Sequence, residues 1–234
     1  MWAEVSMVSG KGEALGEVGD PAVIEALRPL LTPSRLERIE EVIAQRTYGV
    51  TVVLEQLYDL GNMAAIMRSA DSMGIQRANL VLTSPRYKLD RKISVGSDKW
   101  LDVHRYHSPV ECVRALHDEG YMVLATHLDS SRPIEEIDFS QKVALVFGNE
   151  RDGVTPELLR EADGAVRIAM RGFAQSYNVS VAAALAMYHA TQDRVRRLGA
   201  LGDLTEAQRQ VLRERFYRRT LRSSDLIVDR ELGR

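Results

Sequence analysis

The chain carries a single cysteine, Cys112, among 234 residues. That excludes an internal disulfide, and no Cys/His pairing offers the spacing of a zinc site. A reducing, cytoplasmic setting and no metal are expected. No apolar run approaches the ~18 residues that cross a bilayer, and the opening Met1-Trp-Ala-Glu-Val-Ser6 lacks the basic region that begins a secretory signal. No membrane association is expected. Familiar chemical signatures are missing as well. No Gly-x-Gly-x-x-Gly follows the first apolar strand, no Walker loop occurs, and there is no Gly-x-Ser-x-Gly elbow. Nicotinamide-binding, P-loop and serine-hydrolase chemistry lose their main supports. The histidines, His104, His107, His117, His127 and His189, share no ligand spacing and read as surface or packing residues.

A formal net charge of −2 argues against a uniformly basic nucleic-acid binder, but the charge is unevenly distributed. Glu4, Glu13, Glu17 and Asp20 stand against Lys11 in a glycine-rich start, the composition of a disordered acidic leader, taken to run over residues 1–30. Residues 194–222 gather Arg194, Arg196, Arg197, Arg209, Arg213, Arg215, Arg218, Arg219 and Arg222 around few acids. Either a phosphate-binding surface or a solvated helix with basic decoration would look like this.

Between these ends, short apolar runs alternate with helical patterns. Residues 50–54, 78–83, 121–126 and 142–147 are rich in β-branched or bulky side chains, as buried parallel strands are. Apolar spacing of three to four residues marks helices over residues 62–73, 109–119, 155–162 and 179–197, with Thr155-Pro156 as N-cap and first helical residue. The order predicts an open, mostly parallel α/β sheet with helices on both faces. Flanking it are a helix over residues 34–45, with Leu36, Ile39, Val42 and Ile43 inward, and a basic C-terminal helix opened by the capping box Thr205-Glu-Ala-Gln208. The organisation is thus a leader (1–30), an N-terminal helical extension (31–48), a main domain (49–198) and a basic helical extension (199–234).

Ligands of open parallel sheets collect at the carboxyl ends of the strands. Asn62 and Arg68 follow the first strand, Thr126 and His127 end the third, and Gly148 to Gly153 end the fourth. Ser176 and Asn178 open the last core helix, where unpaired N–H groups and positive partial charge suit a polar ligand. Each has a plainer reading alone. Asn62 and Asn178 are acceptable helix caps, Glu150 an ordinary loop acid, and Arg68 a surface helix residue.

Taken together, Asn62-Met-Ala-Ala-Ile-Met-Arg68, Phe147-Gly-Asn-Glu150-Arg-Asp-Gly153, and Ile168-Ala-Met170 followed by Ser176-Tyr-Asn178-Val-Ser resemble the three ordered motifs of the SpoU branch of the SPOUT methyltransferases. Ser94-Val-Gly-Ser-Asp-Lys-Trp100, Ala125-Thr-His-Leu128 and Glu136-Ile-Asp-Phe139 resemble the TrmH-type tRNA guanosine-2′-O-methyltransferases in particular. The resemblance spans roughly residues 32–197. It departs from the family at Ala169, where Pro is usual, at Tyr177, where Leu is usual, and at Gly61, where His is usual.

The resemblance implies a C-terminal deep trefoil knot around residues 145–185, an exception to the usual connection rules. It also implies a homodimer and an S-adenosylmethionine pocket lined by Thr126, Gly148, Asn149, Gly153, Ile168, Met170 and Tyr177. Arg68 is the implied central catalytic residue. A guanidinium pKa above about 12 favours a clamp on phosphate and hydroxyl over a literal base. Asn62 is expected to orient Arg68, Glu150 to fix Arg68 or its own loop, and Ser176 and Asn178 to hydrogen bond at the helix entrance. Arg35, Arg38, Lys99, Arg194 and Arg196 are the implied RNA contacts, and Trp100 is a core residue or an RNA stacker. The alanines Ala182, Ala183, Ala184 and Ala186 suit close packing at a dimer interface or in the core. The expected activity is methylation of the D-loop guanosine, position 18, of tRNA. Ribosomal RNA methylation is the enzymatic alternative, and a catalytically silent RNA-binding paralogue or a generic nucleotide-binding domain are those of another class.

Overall fold

The structure, a computed structural model, describes residues 19–83, 98–127 and 131–233. In chain order these form α1 (Pro21–Leu27), α2 (Pro33–Ala44), β1 (Val50–Glu55), α3 (Leu60–Ser72), β2 (Arg77–Val81), β3 (Asp102–Tyr106) and α4 (Pro109–Asp118). There follow β4 (Met122–Thr126), β5 (Arg132–Pro133), β6 (Val143–Phe147), α5 (Pro156–Glu161), β7 (Gly164–Arg167), α6 (Val179–Leu198), α7 (Glu206–Thr220) and α8 (Ser224–Leu232). Helix starts follow local chemistry. Thr32, Ser108 and Thr155 each cap a helix whose first residue is proline, and Thr205 with Gln208 closes the expected capping box.

The strands form one sheet in the order β3-β2-β1-β6-β4-β7-β5, with every described pairing parallel. β1 and β6 are central and buried on both faces, which is why they are nearly unbroken apolar runs. Alternation still sorts their side chains. Val50, Val52, Leu54, Leu145 and Phe147 pack with Ile66, Ala183 and Met187 of α3 and α6, while Val53, Ala144 and Val146 pack with Leu116 and Leu158 of α4 and α5. Ala183 and Ala186 lie in this core, so the core alternative holds for these two.

Sequence periodicity passes over β3, β5 and β7. The first two are edge strands and β7 has only four residues, so none needs an apolar run.

Beside the sheet, α1, α2, α7 and α8 close a third core around Leu27, Ile43, Leu212 and Phe216. Trp100 meets Phe216 edge-on at 5.4 Å, the packing alternative for that residue. The expectation of disorder through residue 30 is corrected over the described part of the leader. Asp20 caps α1, Pro21 is its first residue, and Val23, Ile24 and Leu27 are buried. Residues 1–18, and parts of the 94–100 and 125–128 stretches, lie outside the described residues.

The basic C-terminal run is largely paired within the fold. Arg213 grips Glu40 of α2 through two bonds of 2.6 and 2.7 Å, Arg215 pairs with Asp102 of β3, and Arg218 pairs with Glu214 and Asp225. Glu40 and Asp102 are remote in sequence while Glu214 and Asp225 are local, and together they leave the run less phosphate-hungry in the fold than it looks on paper.

Candidate functional site

Because the strands are parallel, the carboxyl ends of β4, β6 and β7 lie together, and with the entrance of α6 they enclose a cavity of about 650 Å³. Thr126, Gly148, Asn149, Gly153, Ile168, Met170 and Tyr177 all line it, as do Glu150, Ser176 and Asn178. Thr126 closes β4, its hydroxyl donating to the Val146 carbonyl at 2.8 Å.

The turn after β6 is tightly built. Asn149 and Gly153 exchange backbone hydrogen bonds of 3.1 and 3.0 Å, and the Asn149 Oδ1 accepts the N–H groups of Arg151 and Asp152. A Cβ on Gly148 would lie 2.0 Å from the Gly153 carbonyl carbon, and Gly153 itself has a φ of +69°. Both glycines are therefore dictated by the turn. The Asn149 side chain is committed to shaping it.

Glu150 projects from this turn to the start of α3. Its carboxylate accepts the Asn62 Nδ2 at 2.8 Å and the backbone N–H groups of Tyr58 and Asp59 at 3.1 and 3.3 Å. Partial burial pushes its pKa up, but the Asn62 amide and the backbone N–H donors outweigh that and hold the carboxyl below the usual range. Asn178 completes the chain of contacts. Its Nδ2 donates to the Asn62 Oδ1 at 3.2 Å, while its Oδ1 caps α6 by accepting the N–H groups of Ser180 and Val181. Asn178 is thus a cap and a site residue at once. Asn62 is not the cap of α3, a place taken by Asp59.

Arg68 lies further along α3 from Asn62, exposed, and makes no hydrogen bond or ion pair among the described residues. No hydrogen bond joins Asn62 to Arg68: the Asn62 amide bonds Glu150 and Asn178. Of the alternatives for Glu150, its hydrogen bonds go to Asn62 and the β1–α3 segment, and none goes to Arg68. Ser176 is exposed on the cavity wall.

The expected RNA contacts fare unevenly. Arg194 is 3% exposed, its guanidinium held by Asp203 at 2.6 Å and by the carbonyls of Phe139 and Gln141, so it is a structural residue. Arg35 is exposed, Arg38 pairs with Glu41 at 3.0 Å, Arg196 pairs with Asp193, and the Lys99 Nζ sits 4.8 Å from the centre of the Trp100 ring. None of these four lines the cavity.

Sequence reading passes over Glu55. This carboxylate ends β1 fully buried and accepts the Thr155 backbone N–H at 2.9 Å and its hydroxyl at 2.5 Å. The available signal was a lone acid at the carboxyl end of an otherwise apolar strand.

Similarity to known proteins agrees with this geometry. Residues 49–188 match the SpoU rRNA Methylase family. A tRNA (guanosine(18)-2′-O)-methyltransferase of Borreliella burgdorferi is 32% identical over 205 residues, covering 87% of this chain and 94% of that protein. Among solved structures, the A. aeolicus TrmH/SpoU tRNA modifying enzyme superposes with a TM-score of 0.71 at 30% identity, over 81% of this chain and 98% of that one. The SpoU methyltransferase AviRb from Streptomyces viridochromogenes, in complex with the cofactor AdoMet, gives 0.57 at 27% identity, over 66% and 61%. With residues of the second and third motifs lining one cavity, Asn62 of the first bonded to them, and the match running through the whole sheet, the chain belongs to the SpoU methylase family.

Proposed function

We propose that the protein transfers a methyl group from S-adenosylmethionine to the ribose 2′-hydroxyl of guanosine 18 in tRNA. The observation that carries this reading is the linked set Asn62–Glu150–Asn178 at the mouth of the cavity, with Arg68, unpaired among the described residues, on the same helix as Asn62. The relatives named for guanosine 18 methylation support the substrate.

The residues present fit the cofactor. The cavity volume lies within the range of about 300–1,000 Å³ usual for small-molecule sites, and its wall between Phe147 and Val154 is a glycine-pinched turn that brings backbone close to a ligand. Thr126, Gly148, Asn149, Gly153, Ile168, Met170 and Tyr177 would hold it. When bound, the cofactor supplies a methyl group made electrophilic by its sulfonium. Arg68 clamps the hydroxyl and an adjacent phosphate, since a guanidinium does not serve as a proton acceptor near neutral pH. The hydroxyl proton passes to phosphate or water. Glu150 already accepts three donors and stays ionised, so its work is to hold Asn62 and the start of α3 in place.

The same reading carries the trefoil knot over residues 145–185, a cytoplasmic location and a homodimer. The dimer is supported by Val181, Leu185 and Tyr188, an exposed apolar stripe on α6. Arg35, Arg38, Lys99 and Arg196 remain the proposed contacts to the tRNA backbone.

The test is methyl incorporation from labelled S-adenosylmethionine into unmodified tRNA and ribosomal RNA, with the modified ribose mapped by nuclease digestion. The expected product is 2′-O-methylguanosine at position 18, lost in Arg68→Ala with cofactor binding retained. Transfer to ribosomal RNA alone replaces the substrate. Cofactor-independent RNA binding with no transfer to either points to a silent paralogue.

A further inference from the structure

The segment between β7 and α6 carries residues for which methyl transfer has no task. Phe173 stands entirely clear of the fold, at 110% of reference exposure, between the cavity-lining Met170 and Ser176. A phenyl ring is rarely left wholly in water. Cationic side chains share its segment and the adjoining cavity. Arg171 is exposed two residues away, and the exposed Arg151 and Arg167 line the same cavity. None of these guanidiniums has a hydrogen bond or ion pair among the described residues, whereas Arg213, Arg215 and Arg218 of α7 are tied to carboxylates. Asp152 shares the rim, and Glu150 is occupied by its own donors.

We propose that Phe173, Arg151, Arg167 and Arg171 form a docking rim for unpaired RNA, the ring stacking on a nucleobase beside the target ribose and the guanidiniums holding flanking phosphates. This rests on the RNA-methylation reading and adds to it the residues that present the strand. An aromatic face accepts any base, and a guanidinium matches phosphate oxygens in a two-pronged bond. A second copy of the chain is the competing occupant. The cations on the same segment and cavity favour an anionic partner, and the exposed apolar residues Val181, Leu185 and Tyr188 belong to α6.

Among the described residues nothing packs on Phe173, so its substitutions leave the fold intact, a point checked by thermal unfolding. In Phe173→Ala the KM for tRNA is expected to rise about ten-fold, with kcat, cofactor affinity by calorimetry and sedimentation all unchanged. Phe173→Trp is expected to keep the wild-type KM, and its added fluorescence to be quenched by tRNA. Replacing Arg151 and Arg167 by Ala should lower the salt slope of tRNA binding by about one per lost phosphate contact. An unchanged KM in Phe173→Ala overturns the proposal. So does full rescue by Phe173→Leu with weakened self-association in Phe173→Ala, which assigns the ring to a second copy. If the wild type methylates no RNA, the functional reading fails by itself. Quenching of the Phe173→Trp protein by tRNA would then still support the rim, and its absence would overturn it.

Discussion

Glu55 and Thr155 are joined by two hydrogen bonds across the back of the turn that carries Glu150. Glu150 in turn reaches over to the N–H groups of Tyr58 and Asp59, just beyond Glu55. Two carboxylates thus clasp the same pair of segments in opposite directions, one buried and one at the cavity mouth. Thr155 also caps α5. Thr155→Val removes the cap and one donor to a buried carboxylate, and should cost about 2–3 kcal/mol in urea unfolding. Thr155→Ser keeps both and should cost less than about 1 kcal/mol. Equal losses in the two variants would show that the hydroxyl is not what holds the turn.

The two carboxylates carry opposite pH signatures. Burial, with Glu157 adding repulsion, raises the Glu55 pKa above its ordinary 4.5 despite the bonds from Thr155. Its charge therefore opposes folding, a cost absent below pH 4.5 that grows as pH rises from there and is complete above the raised value. Glu150, held below 4.5, contributes stability that is present above pH 4.5 and is lost as pH falls through its depressed value. Against the wild type, Glu55→Gln should gain stability as pH rises from 4.5. Glu150→Gln should show a deficit at pH 7 that closes in acid. Unfolding measured from pH 3 to 8 reads both, and parallel curves for all three proteins would remove the assigned signs.

Much of this was legible in the chain. The strand cores were, because burial on both faces demands the runs at Val50–Leu54 and Val143–Phe147. The helix starts were too, because Thr-Pro and the capping box act locally. Cavity residues emerged from motif order. What stayed hidden depends on distance along the chain. Arg194 reads as one basic residue among many until Asp203 and two carbonyls from the segment before β6 close around it. Charge counting along the sequence cannot see Glu40 opposite Arg213, 173 residues away.

Arg194 accordingly gives a stability prediction where the sequence suggested an RNA contact. Removing it leaves the Asp203 carboxylate and two carbonyls short of donors, so Arg194→Ala should destabilise by about 3–5 kcal/mol. A large fall in urea midpoint with unchanged tRNA affinity in the folded fraction is expected. A stable variant with weakened tRNA binding would restore the residue to the RNA surface.

Helix α6 has a buried face and an exposed apolar one. Ala183, Ala186, Met187 and Ala190 face the core, while Val181, Leu185 and Tyr188, 42–58% exposed, recur at positions that share the other side. Exposed apolar groups in this register are expected at a contact between copies. Leu185→Arg places a charge in the middle of the stripe without touching the core, so the thermal unfolding of the protomer should change little. On the proposed homodimer, sedimentation should shift from dimer to monomer at micromolar concentration, since two facing arginines across a symmetric contact repel. Methyl transfer should fall with the dimer if the site needs its partner, and recover when Leu185→Arg is mixed with Leu185→Glu, whose opposite charges pair across the interface. Unchanged sedimentation in both single variants would leave the stripe outside the dimer contact.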